Sequence, residues 1–313
     1  MKVLAYNNPD AVVRYESSSG GAFSMLAEAT LSEGGIVYGA VFGSNYRIEH
    51  RRIESVDELG SLRQSKYVYS FLGSAIKSIT NDLSAGRKVL FCSVPCQVAA
   101  VRRKVGPHSK LLLIEVVCHG APKPEHWQKY LEELCFSRKK SISEIKRICF
   151  RDKKTGWTNY SFTVEFNDGY TLSQQYVDND YMRAFVFGYT LRRACFDCKY
   201  KYPLGSEADI TLGDLWGIDK VAPTLANDDG TSLVILRSER GCELEPLFTD
   251  SMPIDFAKAV RFNPAVIERS HLPVGYDDFN RIAAKSFMRA AKKFCRQSLL
   301  PKLKGKIKNL LTR

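Results

Sequence analysis

The sequence has no apolar run of the ~20 consecutive residues that a helix needs to cross a bilayer. We also expect no N-terminal signal peptide, because Asn7, Pro9 and Asp10 interrupt the first apolar residues. Internal repeats and low-complexity segments are absent as well, so nothing indicates a repeat protein. We therefore expect a cytoplasmic protein, and its 313 residues with 44% hydrophobic content suit one large domain or two coupled ones.

Acidic residues are missing from the C-terminal segment. No Asp or Glu follows Asp278, whereas eleven Lys and Arg residues lie from Arg281 onward. The formal net charge is +12, so the first 280 residues are almost neutral and residues 281–313 carry the charge. This distribution, with no basic groove interleaved with aromatic residues, predicts that the protein does not bind nucleic acid.

The same C-terminal segment combines its basic residues with a helical apolar pattern. Apolar residues recur at steps of three and four, at Phe287, Met288, Ala291, Phe294, Cys295 and Leu299. This pattern predicts a basic amphipathic helix that lies on an anionic membrane surface, which would make the protein peripheral on the inner face of the membrane. A helix packed on the body with a solvated basic face is the alternative.

Alternation of strands and helices dominates the first 142 residues. Residues 88–94 and 111–117 are short apolar runs that predict buried strands, and each is followed by a helical segment. Such alternation predicts an α/β fold with a mainly parallel sheet and flanking helices. Residues 143–280 instead show short alternating runs, which predict an α+β region inserted in or packed on the first. Further strands are predicted at residues 208–212 and 232–236.

Nine cysteines, an odd number without an export signal, argue against a disulfide framework. Cys96 and Cys118 each follow a predicted strand, so both are expected at the carboxyl edge of the sheet, where α/β proteins bind ligands. The pair Cys195-x-x-Cys198 would bring the number of thiolates to four. Four thiolates can bind an iron–sulfur cubane or a zinc ion, and their spacing does not distinguish the two. Alternatively, Cys96 and Cys118 are ordinary buried cysteines.

Several stretches recur together in the order found in one known family. They are residues 17–21, residues 64–70, residues 95–97 with 118–120, residues 150–157, and Cys195-x-x-Cys198 with residues 208–217. On these stretches the chain resembles the coenzyme F-420 hydrogenase/dehydrogenase beta-subunit family, from about residue 5 to about residue 240. The resemblance implies an FAD-binding α/β region at residues 1–142 and a cluster and substrate region at residues 143–280, followed by the basic tail.

The resemblance also implies an oxidoreductase that passes electrons between a [4Fe-4S] cluster, FAD and a hydride-accepting substrate. The implied cluster ligands are Cys96, Cys118, Cys195 and Cys198. The implied FAD-binding residues are Ser18, Ser19, Gly20, Gly21, Ser65, Lys66, Tyr67, Gln97 and Asp214. Catalytic roles are expected for His119 as a proton donor and for Lys66 as a partner of phosphate or reduced flavin. Each role has a simpler alternative. Residues 17–21 are then an ordinary helix cap, Lys66 is a solvated surface lysine, and His119 only forms a hydrogen bond within its loop.

Many members of this family carry an upstream ferredoxin module, and no C-x-x-C-x-x-C run occurs in this sequence. We therefore expect a separate ferredoxin-like partner as electron donor or acceptor, and a homo-oligomer stays open. The chain is most similar to members found in bacterial surface-polysaccharide gene sets. A second hypothesis follows from that context: a non-redox, metal-stabilised scaffold in a membrane-associated polysaccharide biosynthesis complex.

Overall fold

The computed structural model describes residues 1–201 and 205–295. Within them the strands are β1 (Lys2–Tyr6), β2 (Ile36–Phe42), β3 (Ile48–Ile53), β4 (Val89–Ser93), β5 (Leu111–Val116), β6 (Ile145–Asp152), β7 (Ser161–Phe166), β8 (Thr171–Gln175), β9 (Ile210–Asp214), β10 (Ser232–Leu236) and β11 (Met252–Pro253). The helices are α1 (Ala11–Glu16), α2 (Ala22–Ser32), α3 (Ala75–Ser84), α4 (Pro95–Val105), α5 (Pro124–Ser137), α6 (Asp180–Val186), α7 (Ile218–Val221), α8 (Glu239–Glu243), α9 (Phe256–Phe262), α10 (Tyr276–Ala283) and α11 (Phe287–Phe294). None of these helices is both long and apolar enough to span a membrane.

A large sheet with the strand order β11-β1-β10-β9-β5-β4-β2-β3 forms the centre of the molecule. Its middle strands, β2, β4, β5 and β9, are parallel, whereas the strands at both edges are antiparallel. The predicted α/β fold is therefore confirmed, but the sheet is mixed rather than mainly parallel. Parallel neighbours need a long crossover, which the helices between the middle strands supply, while β3 follows β2 through a short turn and so pairs antiparallel.

The apolar runs in β4 and β5 reflect burial on both faces of this sheet. Leu90, Leu112 and Ile114 pack into one core cluster with α2. The alternate residues Phe91 and Leu113 pack into another with α3 and α4. Parallel strands covered by helices on both sides carry such continuous apolar sequences, and each fully buried side chain of this size contributes roughly 1.5–3 kcal/mol.

A smaller antiparallel sheet, β6-β7-β8, lies outside the large one. Its apolar face joins an aromatic core formed with α5, α6, α10 and α11, which includes Trp127, Phe150, Phe162 and Tyr181. Strands β9, β10 and β11 do not belong to this small sheet, although they follow it in the chain. They complete the large sheet, so residues 1–142 and 143–280 share one sheet.

The described part of the basic tail is packed on the body of the protein. In α11 the apolar residues Phe287, Ala290 and Ala291 are buried in the aromatic core. The basic residues Lys292 and Lys293 lie on its exposed face. The apolar face of this helix is therefore covered by protein and is not free to enter a membrane. Residues 296–313 lie outside the described residues, and membrane contact through them stays a prediction.

Candidate functional site

A cavity of about 480 Å3 lies at the carboxyl edge of the parallel strands β4, β5 and β9. Its walls are formed by the ends of these strands, by the turn before α2 and by residues 62–70. An open groove of about 1030 Å3 between α5 and α11 contains none of the predicted site residues. Because α/β sheets bind ligands at the carboxyl edge of their parallel strands, the sheet-edge cavity is the candidate site.

Most of the predicted site residues line this cavity. They are Ser18, Ser19, Gly21, Ser65, Lys66, Tyr67, Cys118, His119 and Asp214. Gly20 and Gln97 lie behind its wall, and Cys96, Cys195 and Cys198 are not among the lining residues either. Residues that are up to 196 positions apart in the sequence, from Ser18 to Asp214, thus meet around one space.

The turn at residues 17–21, here called the serine–glycine loop, leads into α2. Gly21 has a φ of +83°, which favours glycine over any residue with a side chain. Gly20 packs so closely on β1 that a Cβ atom would lie 2.3 Å from the carbonyl oxygen of Tyr6. The two glycines therefore let the loop bend against the sheet and place its backbone at the cavity.

Three carbonyl groups of this loop accept hydrogen bonds from residues that do not line the cavity. Those of Ser18, Ser19 and Gly20 accept hydrogen bonds from Trp157 Nε1 at 3.1 Å, Lys153 Nζ at 3.3 Å and Asn8 N at 2.7 Å. The C=O and N–H of a trans peptide point in opposite directions, so the N–H groups that follow these carbonyls point away from the three donors. These N–H groups have no hydrogen-bond acceptor among residues 1–201 and 205–295.

Ser65 and Lys66 fix a second wall of the cavity. The backbone N–H of Ser65 donates to Ser18 Oγ at 2.7 Å and so ties this wall to the serine–glycine loop. The ammonium of Lys66 donates to three carbonyls of its own chain segment, those of Leu62, Arg63 and Gln64. Burial lowers the pKa of Lys66 to about 7. Its donors are engaged within the protein, and a role of Lys66 toward a ligand stays a prediction.

Tyr67 and Gln97 differ in what they offer to a ligand. The Tyr67 ring stacks on Phe185 at 4.6 Å and lines the cavity, where burial raises the pKa of its hydroxyl. Gln97 is only 2% exposed, and its amide bonds to the Ser70 hydroxyl, to the Ser70 carbonyl and to Ser93. The structure therefore does not bring Gln97 to the cavity. It holds the wall in place from behind.

His119 lies at the cavity with one ring nitrogen free. Its Nδ1 is 3.3 Å from the Ser270 hydroxyl, and its ring meets Phe185 edge-on at 5.3 Å. Its Nε2 is buried and has no hydrogen-bond partner in the described part of the chain. Burial lowers the pKa of His119, which favours the neutral imidazole. The contact with Ser270 spans 151 residues, and no sequence pattern indicated it.

The four candidate cysteine ligands lie around the end of the cavity that holds Cys118. Cys96 is in the first turn of α4, Cys118 follows β5, and Cys195 Sγ accepts a hydrogen bond from Ala121 N at 3.3 Å. Burial, aided by the charges of Cys195 and Cys198, raises the pKa of Cys96 to about 11. The thiols therefore interact with one another. Binding of a metal centre here would have to displace their protons.

The thiols are not arranged as a compact single-ion site. Across the described ranges, no group of three His, Cys, Asp or Glu side chains is close enough to hold one metal ion. Burial also raises the pKa of Cys118 to about 12, and the charge of Lys201 opposes that rise. The donor set, four thiols with cations nearby, fits a thiolate cluster in its chemistry. A shared cluster on these four cysteines stays a prediction.

An ion pair that the sequence did not indicate also borders the cavity. Arg151 lines the cavity but is only 3% exposed, and its Nη1 donates to Asp214 Oδ2 at 2.6 Å. Its guanidinium lies over the rings of Tyr160 at 4.8 Å and Trp216 at 5.3 Å. The Asp214 carboxylate, predicted to contact a cofactor, thus pairs with an internal cation.

Comparisons with known proteins relate this geometry to a family. The sequence model for the C terminus of the coenzyme F420 hydrogenase/dehydrogenase beta subunit matches residues 86–257. Among solved structures, the chain is similar to a chain of the F420-reducing [NiFe] hydrogenase complex from Methanosarcina barkeri, studied by xenon derivatisation. The TM-score is 0.53 at 19% identity, with 94% of this chain and 90% of that chain covered. This likeness shows the α/β fold. No curated protein matches the sequence.

Proposed function

Because the chain belongs to the coenzyme F-420 hydrogenase/dehydrogenase beta-subunit family, we propose that it is an iron–sulfur flavoprotein oxidoreductase. In this proposal FAD occupies the sheet-edge cavity, and a [4Fe-4S] cluster is held by Cys96, Cys118, Cys195 and Cys198. One observation carries the proposal. Cys118 lines the same cavity as the serine–glycine loop, so the candidate cluster site and the candidate nucleotide site share a wall.

The residues of the chain supply binding and proton handling. Bound FAD would supply hydride and single-electron chemistry, and the cluster would supply single electrons. The unpaired N–H groups of the serine–glycine loop, at the start of α2, suit the phosphates of the nucleotide. The Tyr67 ring on Phe185 suits a planar ring system. The free Nε2 of neutral His119 can take a proton at the cavity and release it again.

The electrons are proposed to come from, or go to, a ferredoxin-like partner. The solved structure that this chain resembles is part of a multi-subunit hydrogenase complex, which supports a redox partner for this chain as well. The substrate would be a hydride acceptor that enters the cavity beside His119.

Purification without oxygen, followed by iron, sulfide and flavin analysis, tests the proposal. We expect a coloured protein with about four iron and four sulfide per chain together with FAD. Cys96→Ala and Cys198→Ala should each lose the iron and its visible absorbance, because each removes one ligand of the cluster. The matched control is Cys242→Ala, since this partly buried cysteine packs against the core of the large sheet and does not line the cavity.

Two outcomes would contradict the proposal. A colourless protein that contains zinc and no flavin would replace it with the metal-stabilised scaffold. A flavoprotein whose iron content is zero, or is the same in Cys96→Ala and Cys198→Ala as in the wild type, would remove the cluster from the proposal.

A further inference from the structure

We infer that Arg151 is the side chain that binds the phosphate groups of a nucleotide in the sheet-edge cavity. The inference deepens the proposed function, on which it rests only where it names FAD as the nucleotide. The anion site itself follows from the contacts of Arg151 and of the serine–glycine loop.

Arg151 is a buried cation with unused hydrogen-bond donors. Its Nη1 pairs with Asp214, and aromatic rings cover the guanidinium at Tyr160 and Trp216. Its Nε and Nη2 are buried and have no hydrogen-bond partner among the described residues. Buried donors without an acceptor cost free energy, so an acceptor that enters with a ligand would relieve this cost. Two donors on a planar fork match two oxygens of a phosphate group.

The framework around Arg151 places it at the same end of the cavity as the serine–glycine loop. Lys153, two residues further along, donates to the carbonyl of Ser19. Trp157 donates to the carbonyl of Ser18, and its ring stacks at 4.5 Å on Trp216, which also carries the Arg151 guanidinium. The unpaired loop N–H groups and the unpaired Arg151 donors are thus held by one set of side chains.

The other cations that line the cavity have a hydrogen-bond partner inside the protein for every side-chain nitrogen. In the described residues these are Arg63 and Lys66. The Arg63 guanidinium bonds to Ser24, Glu16 and Glu28 through Nε, Nη1 and Nη2. Lys66 bonds to three backbone carbonyls. Among the described residues, Arg151 is therefore the cavity-lining cation with side-chain nitrogens that have no partner, and Lys66, which the sequence favoured, is not.

Calorimetric titration of the full chain, dialysed after purification, tests this inference with ADP, inorganic pyrophosphate, FAD and riboflavin as probes. Arg151→Ala should weaken ADP and FAD binding about 10- to 100-fold, the range for charge-assisted hydrogen bonds. Riboflavin carries no phosphate, so its affinity should not change. Arg147→Ala is the matched control, because Arg147 lies on the same strand, pairs with Glu165 on the surface and does not line the cavity. It should change ADP affinity less than about threefold.

A second variant guards against loss of the fold. Arg151→Ala leaves Asp214 as a partly buried, unpaired charge, whereas Arg151→Ala with Asp214→Ala removes both partners of the ion pair. Thermal unfolding should show that the double variant is folded, and its loss of ADP affinity should match that of the single variant.

The outcomes separate this inference from the proposed function. If the wild type binds ADP and pyrophosphate through Arg151 but does not bind FAD, the inference stands and the proposed function fails. If FAD binds equally well to the wild type and to both Arg151 variants, the inference is wrong and the proposed function stands. An equal loss of ADP affinity in Arg147→Ala and Arg151→Ala, or a wild type that binds neither ADP nor pyrophosphate, would also overturn it.

Discussion

Lys153 shows how a single buried charge supports the candidate site without touching its cavity. The residue is 6% exposed, and its ammonium donates to the carbonyls of Arg14, Ser19 and Asp229. Burial, aided by the positive charge of Arg151, lowers the pKa of Lys153 to about 8. Since the Ser19 carbonyl belongs to the serine–glycine loop, Lys153 helps to turn that loop toward the cavity.

The lowered pKa of Lys153 predicts a pH dependence of stability. Between about pH 8 and the ordinary lysine value of 10.5, the unfolded chain holds a proton on this group that the folded chain has released. The contribution of Lys153 to the free energy of unfolding should therefore rise with pH in this window, by at most about 1.4 kcal/mol per pH unit. Denaturant unfolding of the wild type and Lys153→Met at about pH 7, 8.5 and 9.5 measures that difference.

The neighbouring exposed residue provides the control for this experiment. Lys154→Met removes an ammonium of the same type from the surface, so it should not reproduce the slope. If the difference in the free energy of unfolding between the wild type and Lys153→Met stays constant or falls as the pH rises, the pKa of Lys153 is not lowered in the folded protein.

Individual site residues could be predicted only where the pattern that identifies them lies within one short stretch of the sequence. The serine–glycine loop was recognisable because its residues are adjacent and precede a helical pattern. The partners of each side chain were not, because they come from distant segments. Arg151 and Asp214 are 63 residues apart, and Gln97 and Ser70 are 27 apart. The family resemblance therefore named Gln97 and Lys66 as candidates but could not show that their polar groups are satisfied by the protein itself.

At the scale of elements, α11 depends on α5 for hydrogen-bond acceptors to the backbone N–H groups of its first turn. The carboxylate of Glu133 in α5 accepts hydrogen bonds from the backbone N–H groups of Phe287 at 2.8 Å and Met288 at 2.9 Å. The first N–H groups of a helix have no partner within the helix, and a carboxylate also suits the positive end of the helix dipole. This contact fixes the start of α11 on the aromatic core.

Glu133→Ala should therefore lower the free energy of unfolding by about 0.5–2 kcal/mol, the usual effect of removing a helix cap. Its neighbour Glu132 is exposed and only pairs with Lys129 on the surface, so Glu132→Ala should change stability by less than about 1 kcal/mol. Urea unfolding of both variants under the same conditions gives the comparison. Equal losses in the two would show that Glu133 does not act as a cap.

Most elements were predictable where one face or both faces are buried. The apolar runs at residues 88–94 and 111–117 correspond to β4 and β5, and residues 232–236 are β10. The partners of the strands were not predictable in the same way. Strand β9 lies between β5 and β10. Contacts between segments distant in the sequence complete the sheet in this way, and no local sequence pattern predicts them. The antiparallel edge formed by β10, β1 and β11 has the same origin, whereas β3 is antiparallel to β2 because a short turn joins them.

At the scale of the whole molecule, the large sheet is built from both ends of the chain. The first strand, β1, pairs with β10 and β11, and β5 pairs with β9 on its open side. The serine–glycine loop, near the N-terminus, is held by Lys153, by Trp157 and by the carbonyl of Thr231, which accepts from Ser19 Oγ. The cavity therefore exists only when the later segments are in place.

This topology predicts that a fragment of residues 1–142 cannot fold alone. Without the later strands, β1 loses both of its partner strands, and β5 loses its partner β9. The remaining sheet then buries too little surface to offset the conformational entropy lost when the chain folds. We expect no cooperative urea transition for this fragment by circular dichroism. Co-expression with residues 143–313 should restore a transition close to that of the intact chain, because the missing strands are then supplied in trans. Cooperative unfolding of the isolated fragment would instead mean that β2, β3, β4 and β5 form a stable domain of their own.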